Sequence, residues 1–180
     1  MNAHDLQCTY GAAPSVRRGE EVPVSIAHSP IFDGWMRQAL AEGAKAPVDG
    51  DVPVGALVVD ALGQVVATSR NERERTQDAT AHAEVLAIRR ACQAWGSWQL
   101  PNTTLVVTLE PCLLCAGAIL SARIPRVIFG AWDEQAGAVG SRYDVLRDRR
   151  LNHQVEVIPG VLADACGTQL RRFFGRLRQG

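Results

Sequence analysis

Two short strings in this chain carry residue types that do chemistry: His82-Ala83-Glu84 and Pro111-Cys112-Leu113-Leu114-Cys115. Together they offer one imidazole, two thiols and a carboxylate. Two thiolates and an imidazole fill three vertices of a tetrahedral zinc site and leave the fourth to water when no further donor is at hand. The other histidines are His4, His28 and His153. The first two fall in a stretch without periodicity and the third precedes a strand, so His82, Cys112 and Cys115 are the expected zinc ligands. Glu84 is then a free carboxylate beside the water, placed to take its proton. A divalent cation with two thiolates and a neutral imidazole sums to zero charge, which suits attack of hydroxide on an electron-poor ring carbon. The expected chemistry is hydrolytic deamination of a heteroaromatic amine. A structural zinc half-site or a redox pair are the other readings of Pro111 to Cys115. The first wants a fourth protein ligand that the sequence does not supply, and the second has no need of a His-Ala-Glu string upstream.

Both strings must sit on elements that converge. Val85, Ile88, Cys92 and Trp95 recur at three and four residues, which predicts a helix with His82 to Glu84 on its first turn. Leu105 to Leu109 reads as a short strand, and Pro111 suits the first turn of a second helix, where a missing N–H costs nothing. Cys112 and Cys115, three apart, then share a face near the positive helix end, which favours thiolates. Upstream, Met36, Ala39, Leu40 and Gly43 mark a helix from Phe32 that ends at the Pro47 to Gly50 breaker stretch. Val52 to Val59 and Gln64 to Thr68 read as a β-hairpin, followed by a polar loop from Ser69 to Thr80. Val127 to Gly130 and Val155 to Ile158 are further strands, and Leu162 to about Arg178 is the last helix, with Leu162, Cys166, Leu170, Phe173 and Leu177 as its apolar stripe. Alternating strands and helices predict an α/β fold, a three-layer α/β/α sandwich around a mixed five-stranded sheet.

Bulk properties set the limits. The chain has 180 residues, 47% of them hydrophobic and 21% charged, enough for one domain with a full core. Residues 1–30 mix Gly11, Pro14, Arg17, Arg18, Glu20 and Glu21 without a sustained period and read as a flexible N-terminal extension; residues 31–180 read as the folded domain. Nineteen basic residues balance nineteen acidic ones, so a nucleic-acid partner would be held by a local basic patch and not by an overall field. No apolar run approaches the roughly 20 residues of a membrane span, and a secretory apolar core is lacking, so a cytoplasmic location is expected. Five cysteines with one close pair do not form a disulfide framework. Cys92 and Cys166 read as buried small hydrophobes, and Cys8 lies in the extension.

The strings around the two motifs carry a resemblance. VPVGA at 52–56, DATAHAE at 78–84, VTLEPCLLCAGAI at 107–119, RVIFGAWDEQAGAVGS at 126–141, DVL at 144–146, NHQVEV at 152–157, GVLADAC at 160–166 and FF at 173–174 resemble the tRNA-specific adenosine deaminases of the cytidine-deaminase-like superfamily, from about Phe32 to Arg178. The resemblance implies that adenosine at the wobble position of a tRNA anticodon is converted to inosine by a homodimer. Each subunit would hold one Zn2+ and take the flipped base of the anticodon stem-loop into its pocket.

It also implies residue roles. Asn71 would contact the nucleoside, the Ala83 backbone with Val54, Leu109 and Pro111 would wall the pocket, and Asp133 would meet the sugar of the flanking nucleotide. Phe174 would stack on a base. By type alone, Asn71 also reads as a turn residue, Asp133 as a solvated loop acid, and the apolar residues as core. Three positions depart from the family pattern. Ala79 stands where proline is usual and frees the backbone before His82, Asp51 replaces a glutamate, and Gly175 follows the Phe pair where a helix former is expected. Two other functions remain to be separated from tRNA editing: deamination of a free base such as guanine or cytosine, and a catalytically silent zinc-containing RNA-binding protein.

Overall fold

The structure, a computed structural model, describes residues 29–178. The expected N-terminal extension, with His4, Cys8 and His28, lies outside the described residues apart from its last two positions. Helix α1 (Pro30–Gly43) opens the fold, with Pro30 at its first turn. After a 3-10 turn at Ala46–Asp49 come β1 (Gly55–Val59), β2 (Val65–Arg70), the short α2 (Arg73–Thr76) and α3 (Ala83–Trp95). They are followed by β3 (Thr104–Leu109), α4 (Leu113–Ser121), β4 (Arg126–Ala131), β5 (Glu156–Ile158) and α5 (Ala163–Leu177).

The five strands form one mixed sheet in the order β2-β1-β3-β4-β5. β1 is antiparallel to β2 and β3, while β3, β4 and β5 run parallel. Strand β1 is buried along its whole length, as is nearly all of β3 and β4, so these strands read as continuous apolar runs with helices on both faces. Register assigns the layers. Side chains at Gly55 and Gly130 point to one face, where a Cβ at Gly55 would collide with the Ala39 carbonyl of α1 and one at Gly130 with Cys166 of α5. Ser69 points to the other face and donates to the Ala83 carbonyl of α3, against which α4 packs. The result is the expected α/β/α sandwich.

The crossing of α1 over β1 is tight because both sides are glycine: Gly43 faces Gly55, and a Cβ on either would press into backbone. Gly55→Ala is therefore expected to cost about 1–3 kcal/mol through overpacking. That should lower the thermal midpoint by several degrees in circular dichroism; an unchanged midpoint would contradict so close a crossing.

Local differences from the sequence reading have physical causes. Strand β1 begins at Gly55 and not Val52, because Pro53 has no N–H and Val54 N–H turns back to the Val52 carbonyl at 2.7 Å. The polar loop is shorter than expected, with Ser69 and Arg70 in β2 and α2 inside it. The buried face of α3 is Ala83, Glu84, Ala87, Ile88 and Ala91; Trp95 is exposed and Cys92 only half-buried. Close packing on the sheet favours alanine, which a pattern of large apolar residues does not reveal. Pro111 precedes α4 by two residues instead of lying in its first turn, since Cys112 is still extended at φ −78°, ψ 178°. In α5 the stripe holds for Cys166 and Leu170, but Leu177 is exposed at the helix end.

Candidate metal centre and pocket

Two helix starts build the site. His82 is the residue before α3, in extended conformation at φ −72°, ψ 150°, and Cys112 has the same place before α4. These cap positions ordinarily hold Ser, Thr, Asp or Asn, whose side chain closes onto the first free N–H groups. Here neither side chain makes a capping bond; both are turned toward each other. Cys115 sits on the first turn of α4 and is buried. Because α3 and α4 pack side by side on one sheet face, their positive ends meet where the thiols lie, which favours anionic sulfur.

The donor atoms of His82, Cys112 and Cys115 all lie within 4.8 Å of one another, the one such group of three or more among the described residues. His82 Nδ1 is 3.6 Å from Cys112 Sγ and 3.4 Å from Cys115 Sγ, and the two sulfurs are 3.7 Å apart. A tetrahedral zinc with bonds of about 2.3 Å to sulfur and about 2.0–2.1 Å to nitrogen has edges of roughly 3.5–3.8 Å. The triangle already has the size of one face of that tetrahedron.

The protons in this cluster are shared. The Cys115 S–H donates to Cys112 and draws the Cys112 thiol down to about 4, with burial opposing and His82 assisting. The thiolate so formed, together with burial, pushes Cys115 well above the usual thiol range. His82 is held up by its bond to Cys112, against burial. A cation that takes both sulfurs must displace the proton between them. Glu84, in the first turn of α3 and 5% exposed, is pushed up to about 7 by burial, while the positive charge on His82 pulls the other way.

A pocket of about 220 Å³ opens over this cluster, lined in part by Val54, Asn71, Ala83, Leu109, Asp133 and Phe174, along with His82, Glu84 and Cys112. It is smaller than the about 300–1,000 Å³ of ordinary small-molecule sites, a size for one ring more than for a whole nucleotide. The larger cleft between α1 and α5, about 930 Å³, contains none of these residues. Of the residues expected to wall the pocket, Pro111 is not among its lining. It is buried, and its carbonyl accepts the Ala138 N–H at 2.8 Å.

Asn71 is buried, and its Nδ2 donates to Asp51 at 3.1 Å, which leaves its carbonyl oxygen for other partners. Asp51 is itself buried and accepts the Glu74 and Arg75 N–H groups at 2.9 and 3.1 Å. Asp133 is buried rather than solvated, with Oδ1 accepting the N–H groups of Gln135 and Ala136 at 2.9 and 3.1 Å. Phe174 arrives from α5, edge-on to Phe173 with ring centroids 5.2 Å apart. The segment before His82 is tied despite Ala79, because the Asp78 carboxylate accepts both the N–H and the hydroxyl of Thr80 at 2.8 and 2.7 Å.

Four lining residues escape a reading by type and spacing, Val52, Ala136, Glu110 and Arg73, and the last two carry charge. Glu110, 2% exposed, accepts the N–H groups of Asp133, Val139 and Ser141, each at 3.0 Å, and the Ser141 hydroxyl. It thereby pins the 133–141 loop beside the strand end that leads to Cys112. A Cβ at Gly137 would strike that carboxylate, so the glycine in the GAVGS string is a space requirement. An acid immediately before a Pro-Cys pair was the available signal.

The model of the MafB19-like deaminase family matches residues 32–178. The tRNA-specific adenosine deaminase of Bacillus subtilis is 46% identical over 145 residues, 81% of this chain and 89% of that one. That of Haemophilus influenzae is 44% identical over 151 residues, 84% and 87% of the two chains. A structure solved in a study of A-to-I editing by tRNA:A34 deaminases at the wobble position of transfer RNA matches with a TM-score of 0.73 at 40% identity, over 76% of this chain and 99% of that one.

Proposed function

The chain belongs to the MafB19-like deaminase family and to the tRNA-specific adenosine deaminases, and we propose that it hydrolyses adenosine to inosine at the wobble position of tRNA anticodons. One observation carries the reading: three metal donors converge beside a buried carboxylate at the base of a pocket sized for a single ring. The donor set of two thiols and an imidazole fits zinc, one per subunit, held by His82, Cys112 and Cys115. When bound, zinc supplies a water acidic enough to be a nucleophile near neutral pH.

Glu84 moves the protons. It accepts one as the water oxygen bonds to C6 of the purine and gives it to N1. It then takes the remaining proton from the oxygen now on C6 and passes it to the departing amine as the C6–N6 bond breaks and C6=O forms, so that adenosine and water yield inosine and ammonia. Its place at the base of the pocket beside His82 and Cys112 puts Glu84 within reach of both the water and the ring. Asn71, fixed by Asp51, presents its carbonyl oxygen to the nucleoside, and Val54, Leu109 and the Ala83 backbone hold the ring. Asp133 faces the sugar of the neighbouring nucleotide, and Phe174 stacks at the rim. The homodimer is the state that the family resemblance implies, and Leu113 and Leu114, exposed on the first turn of α4, are apolar residues that such a contact could cover. No helix among the described residues is long and apolar enough to cross a membrane; a cytoplasmic location follows from tRNA as substrate.

The test is to incubate the zinc-loaded protein with an anticodon stem-loop and, separately, with free adenine, guanine and cytosine, and to analyse products by mass spectrometry. Inosine in the stem-loop is expected. Ammonia released only from free bases would move the activity to a small-molecule deaminase, and binding of RNA without either product would leave a silent RNA-binding protein.

A further inference from the structure

Arg73 opens α2 and lines the mouth of the pocket together with Asn71, His82 and Asp133. It is exposed, and among the described residues its side chain makes no hydrogen bond or ion pair. Its neighbours are different. Arg70 pairs with Glu42 at 3.2 Å and Asp49 at 3.7 Å, Arg75 with Glu72 at 2.5 Å, and Arg90 with Glu72 at 3.3 Å. Asp51 is occupied by Asn71 and two backbone N–H groups. Glu42, Asp49, Asp51 and Glu72 are thus engaged, and the Arg73 guanidinium, with no ion pair of its own, faces the pocket mouth.

An enzyme that takes a base out of a strand leaves the sugar and its phosphates at the pocket mouth, because the backbone cannot follow the ring inside. Phosphate contacts fix register, and a planar guanidinium offers two parallel N–H groups to two phosphate oxygens. From this placement we infer that Arg73 binds the phosphodiester flanking the target adenosine, a contact that rests on the RNA substrate proposed above. Its contribution is to affinity and placement of the strand, and the hydrolytic step belongs to other residues.

The experiment compares the full-length zinc-loaded protein with Arg73→Gln and Arg73→Lys on an anticodon stem-loop, measuring KM, kcat and the dependence of Kd on salt. For Arg73→Gln the expected result is a KM about tenfold higher near 0.1 M salt, kcat within about twofold, and a salt slope smaller by about one unit. Arg73→Lys keeps the charge but not the fork, so the slope should return while affinity recovers only in part. A stem-loop with a neutral methylphosphonate at the phosphate beside the target should weaken binding of the original protein by a factor similar to Arg73→Gln. It should add little to that variant, as two changes to one contact do. Full additivity, an unchanged KM and slope, or a loss confined to kcat would each overturn the inference. If the original protein edits the stem-loop and Arg73→Gln matches it, only this inference fails. If the original protein neither edits nor binds the stem-loop, the functional reading fails first and the inference falls with it.

Discussion

Glu84→Gln is expected to bind zinc as the original protein does and to melt at the same temperature or higher, while kcat falls by at least about 10²–10⁴-fold. Gln has almost the shape of Glu, so the first turn of α3 and the packing beneath it need not change. It also spares the fold an ionisable group buried at 5% exposure, whose carboxyl is pushed up to about 7 by that burial. What it cannot do is accept a proton from water or hand one to the ring and the leaving amine. Metal analysis, thermal melting and single-turnover kinetics on one sample separate these effects. An active Glu84→Gln protein would remove the carboxylate from the proton path and leave the deamination without its assigned shuttle.

Cys112→Ala is expected to fail at an earlier stage. Two donors remain of three, and the partner that draws the Cys115 proton is gone. Bound zinc should fall by at least about tenfold under conditions that saturate the original protein, given that changes beyond the ligands themselves cost about 10–100-fold. Editing should fall with metal content. Because a ligand present at about 1,000 times its Kd stabilises a fold by about 4 kcal/mol, the thermal midpoint in excess zinc should drop toward that of the chelated original protein. The midpoints of the two proteins in chelator should be close. A Cys112→Ala variant with full zinc and full activity would contradict the assignment of this thiol as a ligand.

Much of this arrangement is legible in sequence because its determinants are local. The valine-rich runs of β1 and β3 must be buried, and helices on both faces follow from that. His82 and Cys112 fall at transitions from extended chain to helix, marked by the three-and-four spacing after His82 and by Pro111 before Cys112. The convergence of residues thirty apart is not local, and it follows only once α3 and α4 are laid on the same sheet face. Pattern also misses the alanine face of α3, since Ala87 and Ala91 carry little hydrophobic weight although the close approach of the helix depends on them. Glu110 and Arg73 show two further limits. An acid can be buried when several N–H groups converge on it, as they do on Glu110 from the 133–141 loop. Which arginine of a run of alternating charges lacks a partner depends on where Glu42, Asp49 and Glu72 lie in space.

Water, activated at the His82, Cys112 and Cys115 site, is expected to replace the amine of an adenosine in tRNA. This replacement is tested most directly by editing an anticodon stem-loop in ¹⁸O-labelled water with the zinc-loaded protein and analysing the target nucleoside by mass spectrometry. The expected result is inosine carrying one solvent oxygen, one ammonia released per inosine, and no conversion after the zinc has been removed. Adenosine left unchanged by the zinc-loaded protein, inosine without the label, or equal conversion by the metal-free protein would contradict it.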